Sequence, residues 1–577
     1  MKHERYSSIL VILAFLLASF MLCWHLGQMP LQNPDEGRNA STAFEMQQTG
    51  NWLLPTYNGI PSLEKPAFFF KAVSLSLSAF GHSALAARIP SVLFAFGILI
   101  LVWYFCRREY DQYTSAIAIA IISTIPMFFV LGRYVIFDMT LAFFMCTAIF
   151  AGYFAESDEI TRKRQRQLWL LAASQMGLAT LVKGPVGFIV PCLVLIIFNR
   201  LEHKRGALKR LIAWPNILIF CIIVLPWFIG TAILQPDFPY YGLVRESLLR
   251  FTTTVFHHAH PFYYYLPVTL VAMLYWSLLL PGTLWACYKQ RTHLTRADRL
   301  CVTWGTVVIL FFSVSSAKLP HYILTTAIAF GILIARTVIQ AFKHQRRMAH
   351  TVRQSGWALM GVGALIAAIC LFSVAYPQWL DQFILYKLTS ADVAAIHAVL
   401  LPIGLIFLGA ATVALVGILT RKSILIFFAF LSLMPACVLT TFTMLHYFAE
   451  QQSQQFLQTS PVFLQKHSQV ACYACFPTGA PFYLQQKLTV FTQDHGNEIS
   501  NNYVQFWLQR HTEWPAHMQP INQFTQWLKR QHEPVLILVR PDALAQVRQL
   551  THTYVTQFYQ FNNVRYVALL ISPQGTK

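Results

Sequence analysis

Long apolar runs alternate with short polar loops along most of the chain. Thirteen runs recur, near residues 9–26, 85–105, 113–131, 137–154, 168–182, 185–199, 211–233, 265–288, 302–316, 320–340, 356–375, 395–418 and 423–446. Most are long enough to carry a helix across a ~30 Å hydrocarbon layer, where every backbone polar group needs an internal partner. The fifth and sixth are short. After residue 448 the pattern changes to short β-rich runs, 535–539 and 566–571, separated by amphipathic stretches such as 521–530. These periods predict an α-helical polytopic membrane domain over 1–448 and a small soluble α/β domain over 449–577.

Charge orients the helices. Alternate loops hold 24 of the 43 Lys and Arg residues, among them Arg162, Lys163, Arg164 and Arg166, then Arg200, Lys204, Arg205, Lys209 and Arg210. Cytoplasmic loops retain such an excess, so the N-terminus is expected inside and the C-terminal domain in the periplasm. The basic residues before the first run, Lys2 and Arg5, suit a signal peptide, but no small-x-small site occurs near Cys23, Trp24 and His25, and the run is expected to stay as a helix.

Composition agrees: 11% of the 577 residues are charged and 56% hydrophobic. The net charge of +20 follows from topology, so nucleic acid is not an expected partner. Nine of the eleven cysteines lie in or beside apolar runs, where a thiol usually only packs. Cys472 and Cys475, on the periplasmic side, are expected to form a disulfide.

The loops of the other face carry the chemistry. The longest, 27–84, opens with Asn33-Pro34-Asp35-Glu36-Gly37-Arg38 and later holds Leu63-Glu64-Lys65-Pro66. Between them Ala43, Phe44, Met46, Trp52, Leu53 and Leu54 suit short interfacial helices with their apolar faces in lipid. Further loops supply Asp138, Lys183-Gly184, Arg245 to Arg250 with His257, His258 and His260, and Lys318 to Tyr322. Ionisable groups at membrane depth are costly and mark function. Carboxylates beside several cations suit an electrophilic sugar carbon with a phosphate leaving group. The expected reaction is glycosyl transfer from a lipid-phosphate sugar. A transporter would place its polar groups nearer the midplane.

The ordered set Pro34-Asp35-Glu36-Gly37-Arg38, Glu64-Lys65-Pro66, Asp138, Lys183-Gly184, Arg250-Phe251, 261–267 and Lys318-Leu319-Pro320 with Tyr322-Ile323-Leu324 resembles the bacterial aminoarabinose transferases of lipid A. These lie within the polyprenyl-phosphate-dependent membrane glycosyltransferases that include the protein O-mannosyltransferases. The resemblance implies a GT-C fold of about thirteen transmembrane helices with a periplasmic domain. It implies an undecaprenyl-phosphate-linked sugar donor and, as acceptor, lipid A or another periplasmic molecule such as a protein or glycan. A flippase of lipid-linked sugars is the other class. By resemblance Asp35 is the catalytic carboxylate, with Asp138 and Glu36 as acidic companions. Lys65, Arg250, Tyr322, Lys183, Arg38 and Lys318 are expected to bind the donor phosphate. For a hydroxyl acceptor Asp35 or Asp138 takes the proton; for a phosphate acceptor that is already an anion, Asp35 orients the amino sugar or stabilises positive charge on its ring.

Two positions depart from that pattern. The family commonly has Glu-His where this chain has Glu246-Ser247, and that His helps to hold a metal with the Glu of Glu-Lys-Pro. Here the candidate zinc set is Glu64 with His257 or His258, and no cofactor is otherwise required. Asn39 stands where the family usually has Tyr, which bears on the sugar or the lipid bound.

Overall fold

The computed structural model describes residues 2–253, 259–379, 389–453, 455, 457, 469–493, 496, 498–511, 513–552, 555–562 and 565–573. The chain divides into two compact units, one of Met1–Leu26, Ser91–Phe228 and Leu243–Leu445, the other of Gly27–Pro90, Ile229–Gly242 and His446–Lys577. The helices of the first half are α1 (Lys2–Cys23), α2 (Asp35–Thr49), α3 (Phe68–Phe80), α4 (Ala84–Glu109), α5 (Gln112–Thr124), α6 (Pro126–Gly132), α7 (Phe137–Ala155), α8 (Arg162–Lys183), α9 (Val186–Leu201), α10 (Ala207–Leu211) and α11 (Trp214–Leu234).

Every expected span coincides with a helix or a bent helix pair. Among the described residues nine helices are long and apolar enough to cross a membrane, and two bent pairs bring the number to eleven. The other two are α8, whose first turn is Arg162-Lys163-Arg164, and α9, which has only 16 residues. The α5–α6 pair bends by 71° and Phe262–Leu278 meets Leu280–Lys289 at 84°. Pro126 opens α6, and a proline both lacks an N–H and turns the preceding residue away from helix. The carbonyl of Thr124 left at that break accepts from the Tyr275 hydroxyl at 2.8 Å, and its hydroxyl from the Trp276 indole at 3.1 Å, both from the second bent pair. Backbone freed within a membrane is thus satisfied by a neighbour.

Burial sorts the helices of the first unit. Phe137–Ala155 and Pro320–Phe342 are 89% buried over their apolar windows, whereas Trp214–Leu234 is 17% buried. The first two are buried within the bundle and the third is mostly exposed. Gly152 of α7 lets Leu195 of α9 approach so closely that a Cβ there would lie 2.5 Å from it, the small-residue contact expected between membrane helices.

The second unit is built on a six-stranded sheet. Its strands are β3 (Gln469–Tyr473), β4 (Thr489–Thr492), β5 (Met518–Pro520), β6 (Val535–Val539), β7 (Val555–Asn562) and β8 (Val567–Pro573), and a hairpin of β1 (Thr56–Tyr57) and β2 (Ile60–Pro61) stands outside it. The order is β5-β4-β3-β6-β8-β7, parallel from β5 to β6 and antiparallel beyond. All five residues of β6 are buried, as a central strand covered on both faces requires. Alternate residues feed two cores. Ala471, Ile537 and Leu569 pack with Phe524, Leu528 and Val547 from short helices, while Cys472, Leu538 and Ala568 pack with Tyr57 and Ile60 of the hairpin. The long first loop therefore covers one face of the C-terminal sheet.

Two expectations are corrected here. Ala43, Phe44 and Met46 are at most 6% exposed, and the Phe44 ring meets those of His82 and Phe482. Their apolar faces are used on protein, not on lipid. Cys472 and Cys475 are free thiols inside the apolar core. Cys475 donates to the Leu538 carbonyl at 3.3 Å, and burial pushes the Cys472 thiol well above its ordinary range.

Candidate functional site

Each unit carries a cluster of the expected residues. In the first unit three helix ends meet. Asp138 lies in the first turn of α7, Lys183 closes α8, and His321 and Tyr322 lie in a 3₁₀ turn, Pro320–Ile323, that leads into a helix. A carboxylate at a helix start and an ammonium at a helix end both suit the backbone dipoles. The Lys183 ammonium donates to Asp138 Oδ1 at 2.6 Å, with side chains 11% and 4% exposed. It also sits 4.8 Å from the centre of the Tyr322 ring, and His321 Nε2 is 3.7 Å from Asp138 Oδ2. His321 is a member of this cluster that the motif reading did not single out, although it adjoins Tyr322.

Arg250 follows a π-helix, Pro239–Leu249, and pairs with Glu246 four residues earlier. Its backbone is fixed by a strand-like contact, since Ser316 N–H donates to Phe251 O at 2.7 Å and Ala317 N–H to Arg250 O at 3.3 Å. Lys318 is 3% exposed. Its ammonium donates to the carbonyls of Ser315 at 2.5 Å and His260 at 2.9 Å, and burial lowers its pKa. Lys318 thus braces the segment on which Arg250 is hung. The π-helix approaches the turn after α8: a Cβ on Gly184, at φ +77°, would lie 3.9 Å from Ser247 Oγ.

In the second unit Asp35 and Glu36 open α2. The Asp35 side chain is 51% exposed and accepts from Arg38 at 2.7 Å. Arg38 also donates to Ser500 O at 2.6 Å and lies 3.9 Å from Glu64. Glu64 in turn accepts from the Asn502 N–H, at the start of a helix capped by Asn501. Lys65, next to Glu64, is partly buried. Glu36 is different: it is 0% exposed and takes both ends of the Arg88 guanidinium, at 2.9 and 2.7 Å. Arg88 spends its other donors on the carbonyls of Met29 and Pro30. That pair ties the start of the first loop to α4, in which Arg88 is buried.

Gly37 of the same motif has a steric reason. A Cβ there would fall 2.8 Å from Gly479 N, in the loop that follows β3. Chain order reverses between β3 and β6, the point at which open α/β sheets usually receive a ligand. Here the first loop docks beside it: Thr478 O accepts from Ser41 at 3.0 Å and Tyr57 at 3.1 Å, and the Thr478 hydroxyl donates to Asn33 at 2.6 Å.

Among the described residues no group of three or more His, Cys, Asp or Glu could hold a metal. His257 and His258 lie outside the described residues, and Glu64 is engaged by Arg38 and Asn502.

Comparison with known proteins places this geometry in a class and then among particular relatives. The structure matches that of ArnT from Cupriavidus metallidurans bound to undecaprenyl phosphate, with a TM-score of 0.77 over 98% of both chains at 21% identity. The fold is therefore that of ArnT, and with nine to eleven apolar helices of membrane-spanning length among the described residues the chain is an integral membrane protein. The dolichyl-phosphate-mannose-protein mannosyltransferase family model matches residues 12–241. The chain is similar to the undecaprenyl phosphate-alpha-4-amino-4-deoxy-L-arabinose arabinosyl transferases of Enterobacter sp. (strain 638), at 28% identity over 65% of this chain, and of Proteus mirabilis, at 27% over 64%. The Enterobacter alignment spans 66% of that relative, and the Proteus alignment 67%.

Proposed function

We propose that the protein is an inverting glycosyltransferase that moves an amino sugar such as aminoarabinose from undecaprenyl phosphate to lipid A at the periplasmic face of the inner membrane. The observation that carries this reading is the half-exposed carboxylate of Asp35, aimed by Arg38, on a loop with the family's motif. The relatives' names and the undecaprenyl phosphate bound by the Cupriavidus structure support it.

Asp35 is the carboxylate that faces the acceptor or the sugar. Lys183 and Arg250, each held in place by a carboxylate, are the donors for phosphate oxygens that gain charge as the glycosidic bond breaks. Tyr322, whose ring lies beside Lys183, assists them, and Lys65 and Arg38 are the further candidate cations on the loop of Asp35. A lipid A phosphate is already an anion at neutral pH, so Asp35 then stabilises positive charge on the ring instead of removing a proton. A cationic sugar on that phosphate weakens attraction of cationic peptides such as polymyxin.

Mass spectrometry of lipid A from cells with and without the gene tests the proposal. An aminosugar adduct that is lost on deletion, restored by wild type and not by Asp35→Ala is the expected result. An unchanged lipid A profile overturns it. The match to a protein mannosyltransferase family model favours a protein acceptor as the second reading, and the glycans on membrane and periplasmic proteins of the same cells decide it.

A further inference from the structure

A cavity of about 570 Å³ lies in the first unit where α9 turns into α10, on the basic-loop face. Its lining includes Trp169, near the start of α8. Lys183 ends the same helix 14 residues later, about 20 Å away at 1.5 Å per residue. The cavity is therefore separate from the Asp138 cluster, and none of the transfer chemistry above uses it.

The loop geometry crowds positive charge at its mouth. His203, at φ +54°, and Gly206, at φ +91°, turn the chain back, and Lys204 N–H reaches the Asn199 carbonyl at 2.9 Å. Arg200, Lys204 and Arg205 then share one rim. Nearby carboxylates are occupied: Glu156 takes Arg210 at both oxygens and the Trp169 indole at 3.0 Å, Glu202 takes Arg299, and Asp158 takes Lys204. Among the described residues Arg200 and Arg205 have no ion-pair partner.

Asn199 is the second observation. It lines the cavity and is 4% exposed. Its amide N–H donates to Leu195 O at 2.9 Å, while its buried Oδ1 accepts no hydrogen bond among the described residues. A buried acceptor without a donor is costly, so the occupant must bring a donor as well as negative charge. The wall includes the apolar Trp169, Leu195 and Leu208, the last 43% exposed, and Leu201 and Ile212, next in sequence to the lining residues Arg200 and Leu211, are 60% and 56% exposed.

We infer that this cavity holds the head group of an anionic glycerophospholipid that carries a free hydroxyl, as phosphatidylglycerol does. The phosphodiester meets Arg200 and Arg205, the hydroxyl donates to Asn199 Oδ1, and the acyl chains run along the exposed leucines and isoleucine. A zwitterionic head group would set an ammonium against the arginines. Basic pockets between membrane helices recognise phospholipid head groups in this way.

Native mass spectrometry of the purified full-length protein, titrated with phosphatidylglycerol, phosphatidylcholine or inorganic phosphate, tests the site without reference to sugar transfer. Wild type should retain phosphatidylglycerol in preference to phosphatidylcholine. R200Q/R205Q should bind it about thirtyfold more weakly, and R162Q/K163Q, which removes the same charge from exposed positions at the start of α8, should bind as wild type does. Equal retention in R200Q/R205Q, an equal loss in R162Q/K163Q, or displacement of the lipid by millimolar phosphate would each overturn the inference. Because the readout is bound lipid, it stands or falls independently of the proposed transferase reaction.

Discussion

Asp35 keeps half of its side chain in solvent with a single arginine at 2.7 Å, while Glu36, the next residue, has none of its side chain in solvent and two bonds to Arg88. An exposed pair is worth little to stability; breaking a buried pair on one side costs about 3–5 kcal/mol. Asp35→Asn is therefore expected to abolish sugar transfer with no change in thermal unfolding, and Glu36→Gln to lower the melting temperature sharply. Comparable melting of the two variants would contradict this division of labour. The Asp138–Lys183 pair obeys the same rule. Lys183→Ala should destabilise the protein by about 3–5 kcal/mol, because it strands a carboxylate that is 4% exposed. Adding Asp138→Asn should recover most of that loss, read as unfolding in detergent. The motifs made these residues candidates, but two adjacent acids look alike in a sequence, and only burial separates them.

At the scale of elements, α2 is locked onto the turn after β3 by Gly37. Gly37→Ala brings a methyl within 2.8 Å of the Gly479 backbone, and overpacking of this kind costs about 1–3 kcal/mol. Faster hydrogen exchange over 35–49 and 476–484 is the expected outcome, with unchanged exchange in α7. Eleven of the thirteen helical segments were legible because an apolar run of spanning length has one stable backbone solution in lipid. The two sharp bends were not, since Pro126 could equally have ended a helix at a loop. Nor was the burial of Phe44 and Met46, because an amphipathic face reads the same whether lipid or protein covers it. The free thiols of Cys472 and Cys475 were misread for a related reason: compartment argues for a disulfide, but the core position of Cys472 on β3 uses its sulfur for packing.

Over the whole molecule, the second unit is stitched from three separated stretches of chain, and one histidine makes that stitching sensitive to acid. His82 stacks on Phe482 with ring centres 4.0 Å apart, and burial lowers its pKa from 6.5 to about 4. The folded state thus disfavours the proton that the unfolded chain takes up. Its contribution to stability is present above pH 6.5 and is lost as the pH falls towards about 4. Thermal unfolding measured between those limits should show a decline for wild type that is shallower for His82→Phe, and parallel curves would exclude this residue as the cause.

The sequence by itself determined the class: a ladder of apolar segments, a β-rich C-terminal stretch, and intervening loops that hold the acids and cations. Those properties are local or statistical, so they survive in one dimension. Which acid is buried and which is open, which lysine braces backbone, and the packing of the first loop on the C-terminal sheet were decided by tertiary structure. Each depends on what comes to lie beside a residue from hundreds of positions away, and desolvation by that neighbour, not the residue type, sets its role.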